Sequence, residues 1–481
     1  MGASTGSMKG QVISFFLIVL LSAGCVNLGP RYRRPDLGFR PPDRYEGAQG
    51  GLSAPEERWW RAFGDPKVDE LVKRVLQANW DLRGEEARIS ALEASLVSTR
   101  ADRLPRFDLE ATTSRARTTT VIPFPRPQEK TLITDSYDLT FLASFELDIW
   151  GRLAKAEEAE RHRLLAEEET RRALAQSLIS EAISLYFRAR ALKRRVSVAE
   201  EKLKVKEETL RIVEGRHLRG LLPLARVKAE RRDVEAVKVT LSSLREELDG
   251  VSRQISLLLG EYPHPFPVDP LPRGAVRHLE PVPPGLPSEL LLRRPDLRAA
   301  EEGLKALTAE VGVARAARFP RISLTGSYGY SSEDLETLFR PSSLLWRLAA
   351  GMTAPIFQWG KLKASERAAY SRLREAEASY AKAVLQAFYE VETALKRREE
   401  LLRRRLSLEK SLQEALQLEE MAQGRWRRGL SDYLEVLEAR EARLGAEEEL
   451  LLLDLAILTN RVSLHRALGG GWPKSLGKGS K

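Results

Sequence analysis

The sequence predicts a mainly α-helical chain with a small β component, assembled from two internal structural repeats. Three observations carry this reading. The chain repeats itself once along its length. Each half holds a proline-free stretch of exceptional helical length, and each half holds two short stretches of alternating polarity.

The repetition is an ordered series of matches. Asp81-Leu82-Arg83 recurs as Asp296-Leu297-Arg298, and at the same offset Arg103, Pro105, Arg106 and Leu109 meet Arg318, Pro320, Arg321 and Leu324. Further on the offset shortens. Trp150-Gly151 then meets Trp359-Gly360, Gly220-Leu221 meets Gly429-Leu430, and Leu259-Gly260 meets Leu468-Gly469. The shortening falls between Pro105 and Trp150, where the first half carries the proline-broken string TTTVIPFPRPQEK. A repeat of this kind is one structural unit used twice.

The helices come from the proline-free stretches 152–217 and 361–428. From Leu178, the positions Ala182, Leu185, Ala189, Leu192, Val196, Ala199 and Leu203 follow the 4-3 spacing of a coiled-coil seam. Val234, Val237, Leu241, Leu244, Leu248, Val251, Ile255 and Leu258 do the same. The second half repeats both seams with Arg398, Arg405 and Arg443 interrupting. At 1.5 Å per residue such a helix runs ~100 Å, which suits a rod or a tube wall rather than a compact globule. A glycine-containing turn follows each long helix, at 215–227 and 424–436, and leads into a second helix of about half the length.

The strands are expected at about 106–117, 136–148, 321–331 and 344–356. In the first, Phe107, Leu109, Ala111 and Thr113 alternate with Asp108, Glu110, Thr112 and Ser114. Ten to thirteen residues is about the length of a tilted membrane strand. Four strands do not close a pore, and an open edge in lipid leaves backbone groups unsatisfied, so such a chain must self-associate.

Composition removes other classes. The 481 residues are 43% apolar and 30% charged, with a mean hydropathy of −0.33, unlike a multi-pass helical membrane protein. The single cysteine excludes an internal disulfide framework, and five scattered histidines offer little for metal or acid–base chemistry. The net charge of +10 is spread over stretches of mixed sign, as in AKAEEAERHRLLAEEETRR, which reads as a solvated helix face and not a nucleic-acid groove. No P-loop and no catalytic constellation is present, so the chain is not expected to be an enzyme, to hold a cofactor or metal, or to bind nucleic acid. Met352 and Met421 are isolated and form no methionine ladder.

The N-terminus is an address. Val12–Ala23 is an apolar run behind Lys9, too short to span a bilayer. It ends in LSAGC, which resembles a lipoprotein cleavage box with Cys25 as the acylated residue. Val26 and Asn27 follow without an aspartate, which favours the outer membrane. The expected divisions are a signal peptide over 1–24, a lipid-anchored segment over 25–66, a first repeat over 67–262, a proline-rich crossing over 263–286, a second repeat over 287–472 and a flexible tail over 473–481. Met1 and Met8 both remain as starts.

FGDPKVDELVKRVLQANWDLR, FELDIWGRL, GLPSELLLRRPDLRAAE, ARFPRISLTGSYG, PIFQWGK, RWRRGLSDYLEVLEARE and LTNRVSLHRALGGGW together resemble the outer-membrane efflux (TolC-like) family. Within it they resemble the lipoprotein outer-membrane factors of resistance-nodulation-division (RND) systems, the OprM/NodT-like branch. The resemblance runs from about residue 25 to Trp472. It implies a homotrimer in the outer membrane, with four strands per protomer in a twelve-stranded β-barrel above a long antiparallel coiled-coil α-helical barrel in the periplasm. It further implies a passive exit channel for drugs, toxic compounds or metals, loaded by a periplasmic adaptor and an inner-membrane RND transporter. A protein-secretion duct of the same fold and a lipid-tethered coiled-coil scaffold without a pore are the alternatives.

In that fold the two turns lie at the periplasmic end. Gly220 and Gly429 suit positions that need a positive φ. Arg216, Arg219, Arg425, Arg427 and Arg428 either cap the helix ends or dock an adaptor, with Leu221 and Leu430 among the docking residues. Asp432, Glu435 and Glu438 come after the second turn, and the resemblance places acids at 435 and 438 around a constricted pore mouth; an exposed acidic helix start is the other reading. Arg226 stands where Glu435 stands in the second copy, and the expectation is that it pairs with Asp432 or Glu435 as a latch. Trp150 and Trp359 either anchor at a membrane interface or pack the barrel base. Trp59 and Trp60 are expected to pack.

Overall fold

The computed structural model describes residues 28–40, 42–46, 58–122, 128–285 and 287–470. Cys25, the signal peptide and the tail beyond 470 lie outside them. Two helices open the chain: α1 (Pro66–Ala78) and α2 (Trp80–Ala101). Asp65 starts α1 by accepting from the Lys67 N–H at 3.0 Å, with Pro66 at the first helical position, where its missing N–H is harmless. The first repeat continues with β1 (Arg106–Ile122), β2 (Gln128–Leu147), α3 (Arg152–Leu218) and α4 (Leu224–Leu258). After the crossing, α5 (Pro287–Arg293) and α6 (Pro295–Ala316) lead into β3 (Arg321–Ser332), β4 (Leu344–Thr353), α7 (Lys361–Arg427) and α8 (Tyr433–Ala467). The long helices α3 and α7 have 67 residues each, and α4 and α8 have 35 each, so these helices agree between the repeats to the residue.

The chain forms two compact units. One comprises the segment up to Pro35, Arg88–Glu167 and Ala300–Ser379; the other comprises Asp36–Ala87, Glu168–Ala299 and the chain from Tyr380. The first unit carries the sheet. Its four strands form an antiparallel meander in the order β1-β2-β3-β4. The register sorts the side chains into two faces, because residues directly opposite one another share a face. Leu109 pairs with Phe141, Phe141 with Tyr328, and Tyr328 with Trp346, giving one apolar row across all four strands. The next row on that face runs Phe107, Ala143, Gly326 and Leu348. The opposite face carries Glu110, Thr140, Gly329 and Leu345, then Asp108, Leu142, Ser327 and Arg347. On the apolar face Leu109, Tyr328, Trp346 and Leu348 are all exposed. A sheet greasy on one side and mostly polar on the other, with the greasy side bare, is built to face lipid.

The first hairpin is longer than the sequence pattern indicates. β1 runs on to Ile122 and β2 begins at Gln128. The ladder needs only backbone donors and acceptors, and the prolines that break it, 123, 125 and 127, lie between the two described ends. Tyr137 is the last β2 residue paired to β3, so residues 128–136 of β2 pair with β1 alone. On the apolar face the Arg115–Asp135 pair, 3.4 Å apart, marks where the greasy band ends.

The tryptophans at the strand–helix junctions diverge. Trp150 packs: its indole Nε1 donates to the Pro320 carbonyl at 2.8 Å and its ring lies 5.0 Å from Phe319. Trp359 is 90% exposed and takes a φ of 50°.

The second unit holds the main core. Leu178, Ile179, Ala182, Ile183, Tyr186 and Ala189 of α3 pack with Leu241, Leu244, Val251 and Ile255 of α4 and Leu458 and Val462 of α8. Trp59 and Trp60 are buried in the same cluster, as their pairing suggests. Trp60 donates to Asp69 at 2.8 Å, and Trp59 stacks on His465 at 4.7 Å. Burial, and secondarily the Arg461 charge, push the His465 imidazole down to about 3, so it sits in the core neutral.

Candidate functional site

The two helix–turn–helix ends belong to the second unit and close in the same way. In the first turn, the Gly220 N–H donates to the His217 carbonyl at 2.8 Å and the Leu221 N–H donates to the Arg216 carbonyl at 2.9 Å. In the second, the Gly429 N–H donates to Trp426 at 2.9 Å and the Leu430 N–H to Arg425 at 2.9 Å. This is the Schellman pattern, and it requires a left-handed residue after the helix. Gly220 and Gly429 supply it with φ of 74° and 69°. Arg219 and Arg428 then donate from Nε to the Gly215 and Gly424 carbonyls, both at 3.1 Å. The tip arginines thus satisfy orphan carbonyls at the helix ends. Leu221 and Leu430 stay about two-thirds exposed, at 67% and 64%.

The two turns lead into differently capped helices. Helix α4 starts at Pro223 with no side-chain cap. Helix α8 starts at Asp432, whose carboxylate accepts the Leu434 N–H at 3.3 Å. Asp432 also forms an ion pair with Arg216, across from the end of α3. Partial burial raises its pKa, but the Arg216 hydrogen bond, the backbone donors and the Arg216 charge outweigh that, and the carboxyl is held below the ordinary value of 3.8. Arg425 lies 3.6 Å from Glu435. Glu438 is exposed and forms no ion pair among the described residues. Trp426 and Tyr433 pack at 4.8 Å between centroids.

The expected pairing of Arg226 with Asp432 or Glu435 is not what this chain makes. Arg226 pairs with Glu230 at 2.8 Å, one turn along its own helix, and Glu230 is buried. An i,i+4 neighbour is always within reach on a helix, while Asp432 is already engaged by Arg216. Sequence reasoning named Arg216 as a capping or docking residue and missed its partner. It also missed the Glu419 carboxylate, held by Arg440 at 2.9 Å and Arg443 at 2.5 Å. The available signal was the arginine at a seam position, since a charge in a seam demands a counter-charge on the facing helix.

The family model described as outer membrane efflux protein matches residues 71–261 and again 286–470, one stretch in each half. The chain belongs to the outer membrane efflux protein family. Among curated members, it is 32% identical to the cation efflux system protein CusC of Escherichia coli over 95% of this chain and 98% of that one. It is 31% identical to the solvent efflux pump outer membrane protein SrpC of Pseudomonas putida, over 97% and 100%. Among solved structures, the outer-membrane channel OprN aligns with a TM-score of 0.83 at 30% identity, covering 93% of this chain and 99% of that one. The open-state MtrE outer membrane channel of Neisseria gonorrhoeae aligns at 0.80 and 29%, covering 93% and 98%. This efflux protein is therefore an outer-membrane channel component of an efflux system. Among its described residues no helix is long and apolar enough to cross a membrane, and no cluster of histidine, cysteine and carboxylate side chains could hold a metal ion.

Proposed function

We propose that three copies join their sheets into one twelve-stranded barrel in the outer membrane and their helices into a tunnel beneath it. A periplasmic adaptor and an inner-membrane RND transporter deliver cargo to this passive duct. One observation carries the proposal: the four-stranded sheet has one bare apolar face and two edges, β1 and β4, that pair on one side only. Lipid cannot satisfy those edges, so copies of the chain must. Helix α7 supports the same reading with an exposed apolar stripe of Leu385, Tyr389, Leu406, Leu418 and Met421.

At the inner mouth, Arg216–Asp432 is the clamp and Glu435 and Glu438 line the aperture. Three-fold repetition would gather up to six such carboxylates there, which favours cations and resists anions. Latch duty rests with Arg216 and not Arg226. The exposed Leu221 and Leu430, beside Arg219 and Arg428, offer an adaptor an apolar contact ringed by positive charge. Cys25 carries the lipid anchor; a Salmonella typhimurium relative, 30% identical over 96% of this chain, is named an outer membrane lipoprotein. Relatives named for cations, pyoverdine and solvents share 29–32% identity with the chain, so likeness alone does not name its cargo.

The test is the full chain purified in a non-ionic detergent. A trimeric mass and discrete conductance steps in planar bilayers are expected. A monomer that conducts nothing would overturn the proposal.

A further inference from the structure

Ion pairs within the second unit fix the order in which its helices lie side by side. Arg188 pairs with Glu247 at 2.7 Å and ties α3 to α4. Arg195 pairs with Glu448 at 3.0 Å and ties α3 to α8, and Arg405 pairs with Asp454 at 2.8 Å and ties α7 to α8. The order is α4-α3-α8-α7, with α4 and α7 on the flanks.

The α3–α8 contact joins the long helix of the first repeat to the short helix of the second. Val198 and Val205 of α3 pack there with Leu437 and Leu444 of α8. Around them Arg195 and Lys202 hold Glu448, and Lys206 holds Glu441 at 2.7 Å. The α8 stripe that meets α3 has seven-residue spacing: Glu441, Glu448, Leu455 and Val462, the last two packed on the core.

The internal repeat carries both faces over to the flanking helices, since α7 matches α3 and α4 matches α8 in length. Ser407 and Glu414 match Val198 and Val205, and Lys228 and Glu235 match Leu437 and Leu444. The matching stripe on α4 is Arg232, Val239, Glu246 and Arg253. Every one of these counterparts is exposed. Faces that cover each other between α3 and α8 are thus bare on α7 and α4.

The bare faces complement each other in the antiparallel sense. Along α7, Arg404 and Lys410 are followed by Glu414; along α4 in reverse, Glu246 and Glu235 are followed by Lys228. Among the described residues Arg404, Lys410, Glu414, Glu246 and Lys228 form no ion pair. Arg403 and Lys238 stand where Arg194 and Glu447 pair and carry like charges, but each is answered on its own helix, by Glu399 and Glu235.

We infer that α7 of one copy lies antiparallel against α4 of the next in the register that α3 and α8 use within a chain. Ion pairs of Arg404 with Glu246 of the next copy, and of Glu414 with its Lys228, set that register. The inference rests on the three-copy reading and deepens it by naming the helices and side chains that meet. The apolar cluster of the in-chain contact becomes a charged one, which tolerates water until copies meet and penalises a shifted register by opposing like charges. Val239, Leu418 and Met421, exposed at 70%, 57% and 63%, are the apolar side chains the neighbour covers.

Cysteine cross-linking of the full chain in outer-membrane preparations tests it. Cys25 is the only native cysteine, so the parent sets the background. Arg404→Cys with Glu246→Cys, and Glu414→Cys with Lys228→Cys, should give covalent dimers and trimers on non-reducing denaturing gels after a short bis-methanethiosulfonate reagent. The single variants and the mismatched pair Arg404→Cys with Lys228→Cys should not. Independently, Arg404→Glu should shorten the lifetime of the trimer in dilute SDS about tenfold, and adding Glu246→Arg should restore it to within about threefold of the parent. A trimeric parent whose matched pairs fail to cross-link, a mismatched pair that links as well as they do, or a charge swap without rescue would overturn the inference and leave the trimer standing. A monomeric parent would overturn both.

Discussion

The two repeats share a backbone plan and differ in how they hold it. In the first, Ala189 and Val196 of α3 and Val234 of α4 are buried seam residues. At the same places the second repeat carries Arg398 and Arg405 on α7 and Arg443 on α8. Helix lengths and turn geometry are nonetheless the same. Architecture therefore depends on helix length, turn position and the presence of a seam, while the seam's chemistry can change from apolar to ionic. The ionic version works where each arginine meets its counter-charge: Asp454 for Arg405, and Glu419 and Glu447 for Arg443. Arg398 is the exception. It has no carboxylate partner among the described residues, and burial lowers its pKa. Its positive charge also helps lower that of Arg461, after burial, to about 10.

The comparison is easiest to break at Arg405. Converting it to the first repeat's residue, Arg405→Val, strands a buried Asp454 and should cost about 3–5 kcal/mol, read as a large fall in Tm. The double variant Arg405→Val with Asp454→Leu should regain most of that stability. If the single variant is as stable as the parent, the ionic seam is not what holds the second repeat.

Acid should also act on the ionic seam. Burial works to raise the pKa of Glu447 and Glu419, but their arginine hydrogen bonds and charges prevail and hold both below the ordinary 4.5. A carboxyl lowered on folding stabilises the protein fully above its unfolded pKa, and that stabilisation is lost as pH falls through the folded one. The packing of α8 against α3 and α7 should therefore loosen as pH falls below about 4.5, with amide exchange rising in α8. Amide exchange in α8 that is indifferent to acid would count against these ion pairs as what holds it.

The turns should respond alike to one change and differently to another. Gly220→Ala and Gly429→Ala each force a side chain into left-handed backbone, where the added Cβ meets nothing within 4 Å. Each should cost about 1–2 kcal/mol, and by similar amounts. Asp432→Ala removes a helix cap and the Arg216 pair that the first turn has no counterpart for. It should cost about 0.5–2 kcal/mol and raise single-channel conductance. Arg226→Ala leaves the buried Glu230 carboxylate without its guanidinium and should cost about 1–3 kcal/mol, with conductance unchanged. A conductance rise there, and none in Arg216→Ala, would return the latch to Arg226.

What the sequence by itself determined was local or periodic. The doubling, the helices of 67 residues, the glycine turns at 220 and 429 and the two faces of the strands come from prolines, heptads, glycine stereochemistry and alternation. Tertiary structure alone decided partners. Arg216 could have capped its own helix and Arg226 could have crossed to Asp432; which one reaches Asp432 depends on which helix ends lie side by side. The same holds for Arg405 and its partner Asp454, because a seam pattern gives the spacing along one helix and says nothing of the side chain that faces it. Short-range sterics are written in consecutive residues, whereas the satisfaction of a buried charge is a property of the packed neighbourhood.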